Sequence, residues 1–201
     1  FPGAFTFEIA PNWQDHSTAE EISLFEKVVG GADKLSQITG SRAHYRFTGP
    51  QIRKMAVRKD PELYKETYRI SLVSSFLGSL ICGKIVALEE ADACGMNLYY
   101  LQHNDYDNKL LSLAAGTCPE VDACDDEMAS RGIAELRKKL GQVHPIGYKS
   151  IGTVSEYFVR KYGFSPDCKV YSFTGDNLAT ILALPLANND LLVSMGTSTT
   201  V

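Results

Sequence analysis

The sequence has few histidines, and its cysteines are not regularly spaced. Its 201 residues contain five cysteines, an odd number, and only four histidines. No C-x-x-C motif occurs, whereas disulfide scaffolds and zinc ribbons show regular cysteine spacing. We therefore expect reduced cysteines in a cytoplasmic protein, and no metal site built by this chain.

A basic surface and long apolar runs are also lacking. The net charge is −4, which disfavours nucleic acid as a partner, and the apolar segment 70–81 is interrupted by four serines, too often for a membrane span. The start, FPGAFTF, has neither an initiator Met nor the apolar core of a signal peptide. The end stops within the strand-like MGTSTTV. We expect no nucleic-acid or membrane partner, and an internal piece of a longer chain.

What is present is a mixture of strand and helix patterns with helix in excess, which indicates an α/β fold. The clearest element is an amphipathic helix over 127–140, with basic residues in its last turn and Gly141 after it. The other expected elements are a helix opened by a Ser17–Glu20 capping box, a helix from Pro50 to about Lys59, a helix capped by Asp60, a strand over 69–73, a helix capped by Ser74 or Ser75, helices over 105–116 and 153–162, a strand over 168–173 and a helix over 178–184.

The stretch YSFTGDN, residues 171–177, places Asp176 and Asn177 at the exit of a strand-like run. In open α/β sheets, ligands bind beyond the carboxyl ends of the strands. Two other interpretations remain open for this stretch. Either residue can simply cap the following helix. A Gly-Asp pair also occurs in haloacid-dehalogenase-like phosphatases, but their Asp-x-Asp-x-Thr/Val nucleophile motif is missing from this sequence.

Three further stretches carry candidate binding groups. The loop SRAHYRFTG holds Arg46, whose planar donors suit hydroxyl or carboxylate oxygens. In ADACGMNL, Asp92 can cap or close a turn, and Gly95 permits an unusual backbone angle. The hairpin LLVSMGTSTTV carries Gly196, Thr197 and Ser198, whose amides and hydroxyls can face a phosphate, although no Gly-Lys-Ser/Thr loop occurs. Taken singly, each is equally compatible with ordinary loop structure.

The order of these stretches is more specific than any one of them. The series resembles the FGGY carbohydrate kinases, most of all their xylulokinase branch from fungi and animals, in PNWQDHSTAEE, ITGSRAHYRFTGPQI, EADACGMNL, IGTVSEYFVRKYGF, VYSFTGDN and VSMGTST. The resemblance implies the actin-like (ribonuclease H-like) fold, with an active site between two domains. Residues 1–187 would belong to the N-terminal sugar-binding domain, as its second half. Residues 188–201 would be the first hairpin of the C-terminal nucleotide-binding domain.

The resemblance also implies the chemistry. The expected reaction is the ATP-dependent phosphorylation of D-xylulose at its 5-hydroxyl, with Mg²⁺. Asp176 would be the general base, with Asn177 and Arg46 on the sugar. Gly196, Thr197 and Ser198 would hold phosphate. Asp15 lies in the family's Trp-x-Asp stretch, but Ser17 replaces the Arg of many bacterial members, so its role is open.

Two alternatives remain at this point. The sugar could be that of another FGGY kinase, of the ribulose or glycerol type. The chain by itself could also be a sugar-binding module without catalysis, because much of the ATP site would lie elsewhere. The oligomeric state is not indicated by the sequence.

Overall fold

The structure is a computed structural model that describes residues 5–145, 149–195 and 199–200. Its helices are α1 Ala19–Val29, α2 Ala32–Thr39, α3 Thr48–Arg53 with a π-helical continuation Lys54–Lys59, α4 Pro61–Glu66, α5 Val73–Cys82, α6 Glu90–Cys94, α7 Asn108–Ala114, α8 Asp126–Leu140, α9 Glu156–Tyr162 and α10 Asp176–Ala183. Its strands are β1 Leu88–Glu89, β2 Tyr99–Tyr100, β3 Asp105–Tyr106, β4 Val143–His144, β5 Ser150–Thr153, β6 Lys169–Tyr171, β7 Ser194–Met195 and β8 Thr199–Thr200.

The strands pair two by two. Strands β1 and β4 are parallel, with Leu88 opposite Val143. The pairs β2–β3, β5–β6 and β7–β8 are antiparallel. The mixture of helix with short parallel and antiparallel strands agrees with the expected α/β class. Among the described residues, no helix has the length and apolar character needed to cross a bilayer.

The core lies between the helices and is built mainly from leucines. Burying each of these side chains contributes about 1.5–3 kcal/mol. Fully buried members come from α1, α2, α7, α8 and the strand region: Phe25, Leu35, Leu88, Leu98, Leu110, Leu111, Leu113, Leu136 and Leu140. The amphipathic pattern of α8 therefore faces the core through its last two leucines.

A buried ion pair fastens α3 to the loop that follows α7. Arg53 bonds Asp122 through two nitrogens, at 3.1 and 2.9 Å, and donates to the carbonyl oxygen of Leu113 at 2.6 Å. Asp122 also accepts from the amide of Cys118. The charges are thus matched and their hydrogen-bonding groups are occupied, as a buried pair requires.

Several helix ends depend on local chemistry, and the expected cap at Asp60 is confirmed. Asp60 accepts from the amide of Leu63 and opens α4, with Pro61 at the first helical position. Gly30, Gly40, Gly83 and Gly163 end α1, α2, α5 and α9 in the left-handed conformation. Such positions favour glycine because it lacks a Cβ.

The expected capping box of α1 is wrong. The helix begins at Ala19, after Thr18, and no side chain caps it. Ser17 instead donates its amide and hydroxyl to Asp15. Thr18 donates its hydroxyl to the carbonyl oxygen of Tyr45. The hydroxyl groups of Ser17 and Thr18 therefore bond to Asp15 and Tyr45, and neither caps α1.

The expected strand over 69–73 is also wrong. Residues 69–72 have no regular structure, and the amide of Ile70 donates to the carbonyl oxygen of Lys139. Helix α5 begins at Val73, and Ser74 donates its hydroxyl to Asp92 instead of capping it. The helices expected over 105–116 and 153–162 begin later, because 105–106 and 150–153 are strands, and the helix expected over 178–184 begins earlier, at Asp176.

Candidate functional site

Asp176 and Asn177 begin helix α10, five residues beyond the end of β6. Gly175 is the residue that precedes the helix, and both side chains are exposed. Asp176 accepts from the amide of its neighbour Asn177 at 2.9 Å, not from an amide two or three residues further on, as an N-cap would. The capping interpretation is therefore wrong for Asp176.

The turn before Asp176 rests on two carboxylates. Glu89, which is 4% exposed, accepts from the hydroxyl of Thr174 at 2.7 Å. Asp92 lies beside Gly175, where a Cβ would come within 3.1 Å of its Oδ1. The missing side chain at Gly175 therefore allows this close approach.

Asp92 is held in a partly buried, acidic environment. Burial raises the pKa of its carboxyl, and the charges of Glu89 and Asp176 raise it further, against the hydrogen bond from Ser74. The structure thus places Asp92 within the electrostatic field of Asp176. Asp92 of the stretch ADACGMNL therefore contacts the turn that carries the candidate base.

Arg46 lies in a compact loop of aromatic and cationic side chains. Its amide donates to Nδ1 of His44 at 3.4 Å, and its guanidinium lies 6.0 Å from the ring centre of Phe47. Burial lowers the pKa of His44, and the charge of Arg46 lowers it further. The positive charge of Arg46 therefore disfavours the protonated form of His44.

Both ends of this loop are fastened to one short stretch. The amide of Gly49 donates to the carbonyl oxygen of Met96 at 2.8 Å. Asn97, fully buried, donates to the hydroxyl of Thr39 at 3.2 Å and to the carbonyl oxygen of Ser41 at 3.5 Å. The unusual backbone angle expected at Gly95 is at Asn97 instead, with φ of 55°, since Gly95 has φ of −73°.

We call residues 89–97 the connecting segment, because they touch both predicted site stretches. Its first residue, Glu89, and its fourth, Asp92, contact the Thr174–Gly175 turn. Its last two residues hold the ends of the loop that carries Arg46. The structure therefore joins the two stretches through a third one, although they are about 130 positions apart in the sequence.

Glu89 is the residue that the sequence analysis missed. It ends the apolar run IVALE, so it stands at a strand exit just as Asp176 does. The rule that ligands and polar groups collect at strand ends would have indicated it. Glutamate after an apolar run is nevertheless a common pattern, and only the contact with Thr174 distinguishes Glu89.

Asp15 is engaged by groups of the protein itself. It accepts hydrogen bonds from the backbone amide of Ser17 and from the side-chain amide of Gln51, each at 2.9 Å. It also lies 3.6 Å from the ammonium group of Lys54. The hydrogen bonds from Ser17 hold the pKa of Asp15 well below its usual range. These contacts indicate that Asp15 has a structural role.

The predicted phosphate turn, Gly196, Thr197 and Ser198, lies outside the described residues. The strands on either side, β7 and β8, pair antiparallel with Ser194 opposite Thr200. The hairpin is therefore confirmed, while phosphate binding stays a prediction. In the described part of the chain, no group of three or more His, Cys, Asp or Glu residues is arranged to hold a metal ion.

Curated proteins similar to this chain include fungal xylulose kinases. No family model matches the chain. It is 51% identical over 198 residues to the probable D-xylulose kinase A of Aspergillus flavus and 50% identical to the xylulose kinase of Saccharomyces cerevisiae. These matches cover 98% of this chain but 32% and 30% of the relatives. The chain thus spans about a third of the length of the curated relatives it matches.

Solved structures agree at the level of the fold. The xylulose kinase of Bifidobacterium adolescentis matches with a TM-score of 0.72 and 19% identity, over 93% of this chain and 40% of that one. That of Rhodospirillum rubrum matches with a TM-score of 0.63 and 15% identity, over 83% and 29%. The expected actin-like α/β fold of the FGGY sugar kinases is confirmed. Over nearly its whole length, the chain is similar to xylulose kinases of fungi, and it spans about a third of their length.

Proposed function

We propose that this chain is the sugar-binding part of a kinase that transfers the γ-phosphoryl group of ATP to the 5-hydroxyl of D-xylulose, giving D-xylulose 5-phosphate. The identity of about 50% to fungal xylulose kinases supports the reaction. The observation that carries the site is the exposed Asp176–Asn177 pair at the start of α10, joined to the Arg46 loop through the connecting segment.

In this proposal, Asp176 is the catalytic base. Its carboxylate accepts a hydrogen bond from the 5-hydroxyl and directs the hydroxyl oxygen at the γ-phosphorus. The P–O bond to the leaving ADP breaks as the bond to the sugar oxygen forms, and the hydroxyl proton passes to Asp176 late in the step. Such transfers depend on positioning and electrostatics more than on covalent help. A positioned base typically contributes about 10²–10⁴-fold.

The other residues of the proposed site bind the sugar and the phosphate groups. Asn177 offers an amide to the sugar, and Arg46 offers a planar cation with several donors. Gly196, Thr197 and Ser198 are proposed to bind phosphate from the second domain. We propose the domain division at 187/188, where Asp190 closes a turn onto Ala187 through two hydrogen bonds. Mg²⁺ would neutralise phosphate charge when bound with the nucleotide; the described residues form no cluster that fits it, so no step here depends on it.

The cytoplasm is the compartment we propose. All five cysteines are free; Cys82 lies beside Lys84, and Cys118 donates to Glu120. Free thiols of this kind persist in a reducing compartment. The proposed partners are D-xylulose and ATP.

Substrate specificity is the first experiment. The complete protein in which this chain occurs is assayed for ADP release with D-xylulose, ribulose and glycerol. We expect kcat/KM to be highest for D-xylulose. A protein with no preference for D-xylulose would contradict the proposed substrate. Phosphate release from sugar phosphates without ATP would instead support the phosphatase interpretation of Gly175–Asp176.

The chain by itself is expected to lack kinase activity, since it spans about a third of its relatives. ATP-dependent phosphorylation of D-xylulose by the isolated chain would contradict this expectation. Calorimetric titration of the isolated chain with D-xylulose separately tests whether it acts as a sugar-binding module.

A further inference from the structure

Glu89 joins two parts of the chain through one carboxylate oxygen. Its Oε2 accepts a hydrogen bond from the amide of Asp92 at 3.0 Å, and this bond caps α6. The same oxygen accepts from the hydroxyl of Thr174 at 2.7 Å. The glutamate and the threonine are 85 positions apart. Two donors from distant parts of the chain thus share one acceptor oxygen.

The link fixes the turn on which Asp176 is carried. Thr174 is two residues before Asp176, and Gly175 between them packs against Asp92. Asp92 is itself held by the hydroxyl of Ser74 from α5. The turn is therefore seated on two carboxylates that come from a different part of the chain.

The same segment fixes the Arg46 loop at its other end. Met96 receives the amide of Gly49, and Asn97 donates to Ser41 and Thr39. The contact with the base turn and the contact with the loop both lie within the nine residues 89–97, and α6 makes most of these residues helical. A displacement at Glu89 would therefore move the two stretches relative to one another.

We propose that Glu89 is a positioning residue for the phosphoryl transfer: through Thr174 it fixes where Asp176 stands relative to the sugar loop. This inference rests on the proposed function. Glu89 is buried and touches neither the candidate base nor the sugar in this account; it acts through Thr174. Misplacement of a reacting group by about 1 Å can reduce the rate by about 10²-fold. We therefore expect loss of the hydrogen bond between Thr174 and Glu89 to lower kcat measurably.

The experiment replaces the threonine, because Thr174 is half-buried and its substitution leaves Glu89 capping α6. Thr174→Val keeps the shape and removes the hydroxyl, and Thr174→Ser keeps the hydroxyl. In the complete protein, we expect Thr174→Val to lower kcat about 10- to 100-fold, with KM for D-xylulose changed less than about twofold. Thr174→Ser should restore most of the kcat. Thr153→Val, on an exposed residue of β5, is the matched control and should leave kcat unchanged.

A double-substitution cycle then tests the partner. Glu89→Ala and Thr174→Val should be non-additive in kcat, the double variant being no slower than the slower single variant. Asp125→Ala, which removes the equivalent cap of α8, is the control for the loss of a capping carboxylate. If Glu89→Ala fails to fold, the threonine pair still decides the question.

The outcomes separate the two claims. A wild-type protein that does not phosphorylate D-xylulose contradicts the proposed function. An active wild type whose kcat is unchanged by Thr174→Val contradicts the positioning role alone. Equal losses of kcat and of melting temperature in both Thr174→Val and Thr174→Ser would also overturn it, since they would mark a purely structural contact.

Discussion

The amide of Gly49 donates a hydrogen bond of 2.8 Å to the carbonyl oxygen of Met96, which closes the Arg46 loop onto the connecting segment. The approach is close because Gly49 has no side chain. A Cβ at this position would lie 2.8 Å from the same carbonyl oxygen and 2.9 Å from the ring of Phe25. Neither neighbour can yield easily, since one is backbone and the other is a fully buried core residue.

Gly49→Ala is therefore expected to lower the apparent free energy of unfolding by about 1–3 kcal/mol, as overpacking does, and to raise KM for D-xylulose by displacing Arg46. Urea unfolding and steady-state kinetics of the complete protein measure the two effects. Gly95→Ala is the matched control, because Gly95 has φ of −73° and a Cβ there would meet only ordinary contacts, the nearest at 3.4 Å. Equal stability of Gly49→Ala and wild type would contradict the packing at Met96.

The buried pair Arg53–Asp122 predicts a large loss of stability. Asp122→Asn leaves the guanidinium of Arg53 uncompensated among buried groups, where its side chain is only 6% exposed. We expect a loss of about 3–5 kcal/mol in urea unfolding. The exposed pair Arg160–Glu156 in α9 provides the comparison: Glu156→Gln should change stability by less than about 1 kcal/mol. A small effect at Asp122 would show that water already reaches Arg53.

Asp15 predicts a pH dependence of stability. Its pKa is lowered on folding from the ordinary value of 3.8, chiefly by the hydrogen bonds from Ser17, so the ionised form is the one that the fold stabilises. This contribution is present at pH values above 3.8 and is lost as the pH falls below that value. We therefore expect Asp15→Asn to be less stable than wild type at pH 7, with a difference that shrinks at pH 3. A difference that is the same at both pH values would contradict the assignment.

Local signals allowed the sequence to predict part of this fold. The helix expected over 127–140 is present as Asp126–Leu140, because its apolar positions, acidic start and basic end all agree. The cap at Asp60 depends only on neighbouring residues, and it is confirmed. The resemblance supplied the fold that periodicity alone could not.

The errors came from contacts between distant parts of the chain. Ser74 could not be known to donate to Asp92, nor Ile70 to Lys139, without the fold. Thr18 likewise donates to Tyr45 instead of serving its own helix. In the candidate site, Arg46, Asp176 and Asn177 are predicted from motif order, whereas Glu89 was missed because its proposed role depends on its contact with Thr174.

The central claim is that Asp176 acts as the base on the sugar hydroxyl, and Asp176→Asn in the complete protein tests it most directly. The amide keeps the size of the side chain and its contact with the helix start, but it cannot take a proton. Asp167→Asn, at another exposed aspartate, is the control. We predict that kcat falls about 10²–10⁴-fold while the Kd for D-xylulose, measured by calorimetry, changes far less. An unchanged kcat in Asp176→Asn would contradict the account.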